Sequence, residues 1–156
     1  MVRTLTRARL RRVRSLDRTR SLCGVQIVGI GSYLPERVVT NEELQRTLGF
    51  DPAWIIQRTG IKQRRFAAPD QATSDLCVEA ARRCIDSAHV DVRDIDLLIV
   101  ATFTPDSTAP ATACIVQDQL GLNCGAFDLV AACSGFVYAL AAGMSFVAAG
   151  QSQLCL

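Results

Sequence analysis

The chain has 156 residues, of which 49% are hydrophobic and 21% charged, a composition that excludes wholesale disorder and predicts one globular core. Ten glycines and five prolines exclude a collagen-like or proline-rich sequence. The formal charge of +2 hides an asymmetry: residues 1–20 carry +7, residues 21–156 carry −5, and so acidic a body argues against a nucleic-acid-binding domain.

Residues 1–22 form a basic arm, rich in Arg and Ser and nearly free of acid. It lacks the apolar stretch of a secretory signal and is expected to be a disordered extension. An organelle presequence or a contact with an anionic surface are the functional alternatives. The globular body is expected to span residues 23–156.

Within the body, residues 25–30 are a β-branched run ended by Gly31 and Pro35, which predicts a buried strand. Thr40-Asn41-Glu42-Glu43 has the spacing of a capping box and opens a short helix closed by Gly49. Asp51-Pro52 opens another, with Asp51 as the cap, Pro52 in the first turn and Gly60 as the stop. Residues 74–88 place apolar side chains at 77, 80, 81, 84, 85 and 88, a helical stripe. Residues 96–101 read as a second buried strand, residues 111–120 as a helix and Gly125–Leu129 as a third strand. Residues 134–149 form an almost wholly apolar helix, and 154–156 begin a fourth strand. Alternating strands and helices with continuous apolar strands predict an α/β fold with a mostly parallel sheet. No charged residue occurs from Leu129 to Leu156, but Ser134, Ser145 and Gln151 interrupt the run and basic flanks are missing. A buried helix of a soluble protein is expected there rather than a membrane span.

Seven cysteines and one histidine, His89, form no CxxC pair and no zinc pattern, so no metal site is expected. Cys77 and Cys84, seven residues apart on one helix face, read as small buried hydrophobes. His89, near a helix end, is expected to be exposed. Gly29-Ile30-Gly31 lacks the third glycine and the following helix of a dinucleotide fingerprint, which excludes that reading.

The strongest local signal is Ala131-Ala132-Cys133-Ser134-Gly135-Phe136. A strand runs through small residues into a helix, which places the Cys133 thiol at the helix N-terminus. Unsatisfied N–H groups and the helix dipole at such a position favour a thiolate. Small neighbours admit a carbonyl, and a backbone N–H can receive the developing oxyanion. The second signal is Trp54 and Arg58, four residues apart and so on one helix face, followed by Thr59-Gly60-Ile61 and the basic run Lys62-Gln63-Arg64-Arg65. An aromatic plane beside a guanidinium is a platform for an adenine and its phosphates. Packing alone accounts for either feature taken singly.

Together these stretches resemble a family. GSYLPERVVTNEEL, WIIQRTGIKQRR, TSDL, DLLIVATFTPD, QDQLGLNCGAFDLVAACSGFVYAL and FVAAGQ are similar to the β-ketoacyl-acyl-carrier-protein synthase III enzymes that initiate fatty acid synthesis. The resemblance runs from about Val25 to Leu156. It implies the first half of a thiolase-like fold, with the nucleophile helix buried at its centre and the last strand cut short. It implies Cys133 as the acylated nucleophile, and Trp54, Arg58 and Thr59 as residues holding the adenine end of coenzyme A. Ala109, before Pro110, matches the residue that faces the acyl pocket across a dimer interface. The implied partners are acetyl-CoA or another acyl-CoA and malonyl-acyl carrier protein, with a homodimer for the full-length enzyme. No separate cofactor, nucleic acid or membrane span is implied, and the location is cytoplasmic, or an organelle matrix if the arm is a presequence.

The family's catalytic His and Asn belong to a second half that this sequence does not match, so a fragment inactive in condensation is expected. The alternatives are a non-catalytic thiolase-like half that binds CoA or a synthase partner, and a condensing enzyme of polyketide or HMG-CoA synthase type.

Overall fold

The computed structural model describes the strand Val2–Thr4 and residues 24–156. These divide into two units, one of Met1–Ser32 with Thr73–Leu156 and one of Tyr33–Ala72.

The larger unit is built on a five-stranded sheet. Its strands are β1 (Val2–Thr4), β2 (Val25–Ile27), β5 (Leu97–Ala101), β6 (Gly125–Leu129) and β7 (Leu154–Cys155), in the order β2-β1-β7-β5-β6. The central β5 pairs in parallel with β6 from Leu97↔Gly125 to Ala101↔Leu129, and with β7 at Leu97↔Cys155. β1 runs antiparallel to both β2 and β7. The expected parallel core is therefore present, with antiparallel strands added at one side. The rest of the expected basic arm, like Cys23, lies outside the described residues.

Helices α3 (Thr73–Ala88), α4 (Thr112–Leu120) and α5 (Gly135–Ala148) complete this unit. Val78 of α3, Ala113 and Val116 of α4, and Leu98 and Val100 of β5 are buried in one cluster. Leu97, Cys155 and Val147 of α5 are buried in another, which includes the partly buried Phe127 and Phe146. The alternation of β5 thus divides its apolar side chains between the two clusters. Helix α5, expected to be buried at the centre of the fold, is buried along one face only: Gly135, Gly143 and Val147 are inside, while Phe136, Val137 and Tyr138 are exposed, Phe136 at 73%. One sheet surface covers only one stripe of a helix that is apolar all round.

The Gly-Ile-Gly segment has a packing role. A Cβ at Gly31 would lie 2.3 Å from both the Ala80 carbonyl oxygen and the Cys84 amide nitrogen, so the backbone crosses α3 in direct contact. The strand expected over residues 25–30 accordingly ends at Ile27. Ile30 N–H donates to Ser87 Oγ at 3.3 Å, and Arg83 Nη1 donates to the Ser32 carbonyl at 2.8 Å.

The smaller unit holds α1 (Asn41–Leu48), α2 (Pro52–Thr59) and a two-stranded antiparallel sheet of β3 (Arg37–Thr40) and β4 (Gln63–Phe66). These two strands were not expected, because RVVT and QRRF are short and QRRF carries two arginines in a row, without an apolar run. Half of the capping box forms. Thr40 Oγ1 accepts from Glu43 N–H, but the Glu43 carboxylate accepts from Arg37 at 2.6 Å instead of turning back to the Thr40 backbone. An arginine six residues upstream offers a charge-assisted bond that a neutral amide does not. Asp51 caps α2 through Ala53 N–H, and Gly49 and Gly60 end the two helices in the left-handed region, as expected.

Among the described residues no helix is long and apolar enough to cross a membrane, and no cluster of metal-ligating side chains occurs.

Candidate active site

β6 delivers the chain to Leu129, after which Val130 and Ala131 turn it towards α5. Ala132 has φ +44°, the left-handed region that an L-residue with a Cβ enters at a cost. A single 3-10 turn over Ala132–Ser134 follows, with Ser134 N–H donating to the Ala131 carbonyl at 3.0 Å. α5 starts at Gly135, two residues after Cys133. The Cys133 side chain is exposed and its thiol is free. No side chain caps α5; the 3-10 turn leads directly into it, with Gly135 N–H donating to the Ala132 carbonyl. The expected strand-turn-helix junction is therefore present, with Cys133 in the turn itself. The left-handed Ala132 escaped sequence reading, because alanine carries no signal for positive φ.

The other described cysteines differ in kind. Burial pushes the Cys77 thiol up, helped by the Asp106 and Asp128 charges. Burial raises Cys124 as well, and takes Cys155 to about 11. Cys77, Cys84, Cys114, Cys124 and Cys155 are buried or half-buried and unbridged.

Ala109 lies in the same unit as Cys133, exposed in the loop before α4, and its bond to Pro110 is cis. His89 is exposed just past α3, with φ +52°.

Trp54, Arg58 and Thr59 lie in the smaller unit, on α2. Trp54 is 53% exposed although apolar. The Arg58 side chain has no hydrogen-bond or ion-pair partner among the described residues and is exposed. The Thr59 hydroxyl is engaged locally: it donates to the Ile55 carbonyl at 2.7 Å and accepts from Ile61 N–H at 3.1 Å. The turn after α2 is held further by Asn41, 1% exposed, whose Nδ2 donates to the Ile61 carbonyl. Arg64 in turn donates to Asn41 Oδ1 at 2.7 Å and to the Val39 carbonyl at 3.2 Å. Arg65 donates to the carbonyls of Pro35 and Glu36. The basic run that follows the Trp54 and Arg58 platform therefore spends two arginines on backbone carbonyls, while Arg58 has no partner among the described residues. Spacing alone does not separate these roles, because the carbonyls are supplied by residues some 25–30 positions away.

No family model matches the chain. It is 56% identical over 133 residues to β-ketoacyl-[acyl-carrier-protein] synthase III of Rhodopirellula baltica, covering 85% of this chain and 38% of that protein. The crystal structure of 3-oxoacyl-[acyl-carrier-protein] synthase III from Aquifex aeolicus superposes with a TM-score of 0.76 at 42% identity, over 80% of this chain and 41% of that one. The priming β-ketosynthase of the R1128 polyketide pathway superposes at 0.77 with 40% identity, over 81% and 38%. The chain thus spans about two-fifths of the length of the proteins it matches.

Proposed function

We propose that this chain, a homologue of the β-ketoacyl-acyl-carrier-protein synthase III enzymes over about two-fifths of their length, carries the acyl-loading part of that chemistry. The observation that carries the reading is an exposed thiol in the turn leading into an uncapped helix, within a sequence 56% identical to a synthase III. The Cys133 thiolate attacks the thioester carbonyl of an acyl-CoA. The new carbon–sulfur bond forms, the bond to the CoA sulfur breaks, and CoA leaves as a thiol after taking a proton from solvent. A backbone N–H at the turn into α5 is assigned to the oxyanion that develops on the carbonyl.

Trp54 and Arg58 are assigned to the nucleotide end of CoA, the indole stacking on adenine and the free guanidinium meeting phosphate. Thr59 is assigned to the same subsite, its hydroxyl fixing the turn that follows Arg58. The whole enzyme then condenses the acyl-cysteine with malonyl-acyl carrier protein, with loss of carbon dioxide, as a cytoplasmic homodimer needing no separate cofactor. This chain alone is assigned the loading step, because the His and Asn that polarise the malonyl thioester and stabilise its enolate in the family have no match in it. Ala109 is assigned to the acyl pocket, where its small side chain leaves room for primers longer than acetyl.

The test is intact and peptide mass measurement after incubating the purified chain with acetyl-CoA. One acetyl group on Cys133, lost in Cys133→Ala, supports the reading. Acetylation elsewhere, or none in the chain and none in a full-length relative treated alike, overturns it. For the pocket, Ala109→Phe in the full-length enzyme should suppress loading from octanoyl-CoA while sparing acetyl-CoA. The similarity to the R1128 priming ketosynthase supports a second reading, a condensing enzyme of polyketide type, in which the same cysteine is loaded and the primer differs.

A further inference from the structure

The loop between β5 and α4 carries Ala109 and is tied down on both sides of that residue. On the upstream side, Thr73 Oγ1 donates to the Thr104 carbonyl at 2.7 Å, and Ser74 N–H donates to Asp106 Oδ1 at 3.0 Å. Both bonds hold the loop to the first turn of α3. On the downstream side stands Thr112, the first residue of α4 and fully buried. Its backbone N–H donates to Asp128 Oδ2 at 2.8 Å, and its Oγ1 accepts from Asp106 N–H at 3.1 Å. Only residues 107–111 lie between Asp106 and Thr112, and Ser107 Oγ donates to the Pro110 carbonyl at 3.0 Å across them.

The Thr112 hydroxyl does not serve the helix it sits in. The N–H groups of Thr112 and Ala113 are met by Asp128, and Thr112 Oγ1 turns back to Asp106. A valine of the same shape would fill the buried space with no hydroxyl to satisfy, so the use of the hydroxyl lies in the bond it makes. That bond closes the loop on itself, while the Thr112 backbone bond to Asp128 joins it to β6 and so to the sheet.

We propose that Thr112 is a positioning residue for acyl-chain length: by closing residues 106–112 into a ring, its hydroxyl makes the loop present Ala109 in one fixed setting. The proposal rests on the assignment of Ala109 to the acyl pocket. An acetyl group ends close to the thioester sulfur, so its loading is indifferent to the far part of the pocket. A long chain needs the volume that the small Ala109 side chain leaves clear. A loop released at Thr112 spreads over conformations that enter this volume, and only the fraction that stays clear accepts the long primer. Loss of the hydroxyl therefore penalises long primers over short ones, which a purely structural role would not do.

The test compares Thr112→Val, which keeps the shape and loses the hydroxyl, with Thr112→Ser, which keeps the hydroxyl, in the full-length enzyme. The readout is the rate of Cys133 loading from octanoyl-CoA divided by the rate from acetyl-CoA, followed by mass measurement. Thr112→Val is expected to lower this ratio by about fivefold or more, and Thr112→Ser to restore it to within about twofold of the parent. In the 156-residue chain, Thr112→Val should speed amide exchange at Asp106 by about tenfold and leave Val100, within the β5·β6 pair, unchanged. Ser107→Ala opens the same loop without touching the buried core, should lower the ratio in the same direction, and decides the question where Thr112→Val does not fold. An unchanged ratio, a ratio that Thr112→Ser fails to restore, or unchanged exchange at Asp106 overturns the proposal. If Ala109→Phe still suppresses octanoyl loading, the pocket reading survives that result; if Ala109→Phe has no effect, the pocket reading and this proposal fall together.

Discussion

The carboxylate of Asp128, on β6, caps α4: its Oδ2 accepts from the backbone N–H of Thr112 at 2.8 Å, while Oδ1 takes Ala113 N–H at 2.7 Å. The residue that precedes the helix, Ala111, has no side chain able to do this. Thr112 and Ala113 are both fully buried, so their first-turn N–H groups have no access to water. The strand thereby supplies the negative charge that a helix N-terminus favours. Asp128→Ala leaves two buried donors unmet and should lower unfolding stability by about 2–4 kcal/mol, and Asp128→Asn, which keeps one acceptor, by less. Urea denaturation of the three chains in parallel checks this order.

Alkylation should separate the cysteines by burial. Cys133 is exposed, whereas Cys155 is buried and its thiol pushed up to about 11. At pH 7.5 the thiolate population of Cys155 is then about a hundredfold below that of an ordinary thiol. Iodoacetamide labelling followed by peptide mass mapping should therefore modify Cys133 first and Cys155 last. Labelling of Cys77 or Cys155 ahead of Cys133 would count against the exposed-turn geometry.

Asp91 provides a pH signature. Its side-chain hydrogen bonds with Arg93, and its acceptance of the Arg93 backbone N–H, lower its carboxyl from 3.8 to about 2. A folded-state value below the unfolded one stabilises the fold above about pH 4, and the contribution fades as pH falls through about 2. The pair is exposed, so the effect on stability is small. Arg93→Ala keeps the backbone bond and should return the Asp91 titration only part of the way to 3.8, read directly by carboxyl NMR.

The close crossing at Gly31 predicts a steep size limit. Gly31→Ala would drive a Cβ into the backbone of α3, which cannot move without unpacking the helix, and should cost about 2–3 kcal/mol. Gly125→Ala meets only a Leu97 methyl at 3.6 Å and should be tolerated. Thermal melts of the two variants test the contrast.

Trp54 is the single tryptophan, so its fluorescence reports the proposed nucleotide subsite without interference. Coenzyme A should quench it, and Arg58→Ala should weaken that binding by about tenfold, the scale of one exposed cation meeting phosphate. Quenching that is indifferent to Arg58 would dissociate the guanidinium from the ligand.

The sequence by itself determined the features whose physics is local. Thr40, Asp51, Gly49 and Gly60 mark helix ends with groups within a few residues, and the apolar runs of β5 and β6 declare buried strands. The junction at Cys133 was legible for the same reason, as a strand, a turn of small residues and a helix in succession. Tertiary structure alone decided what depends on partners far along the chain. Asp106 caps α3 at Ser74 from 32 residues away, and Asp128 caps α4 from 16. The arginines of β4 find carbonyls of β3 and the loop before it, which turns an apparent basic patch into a hairpin scaffold, while the Arg58 side chain has no partner among the described residues.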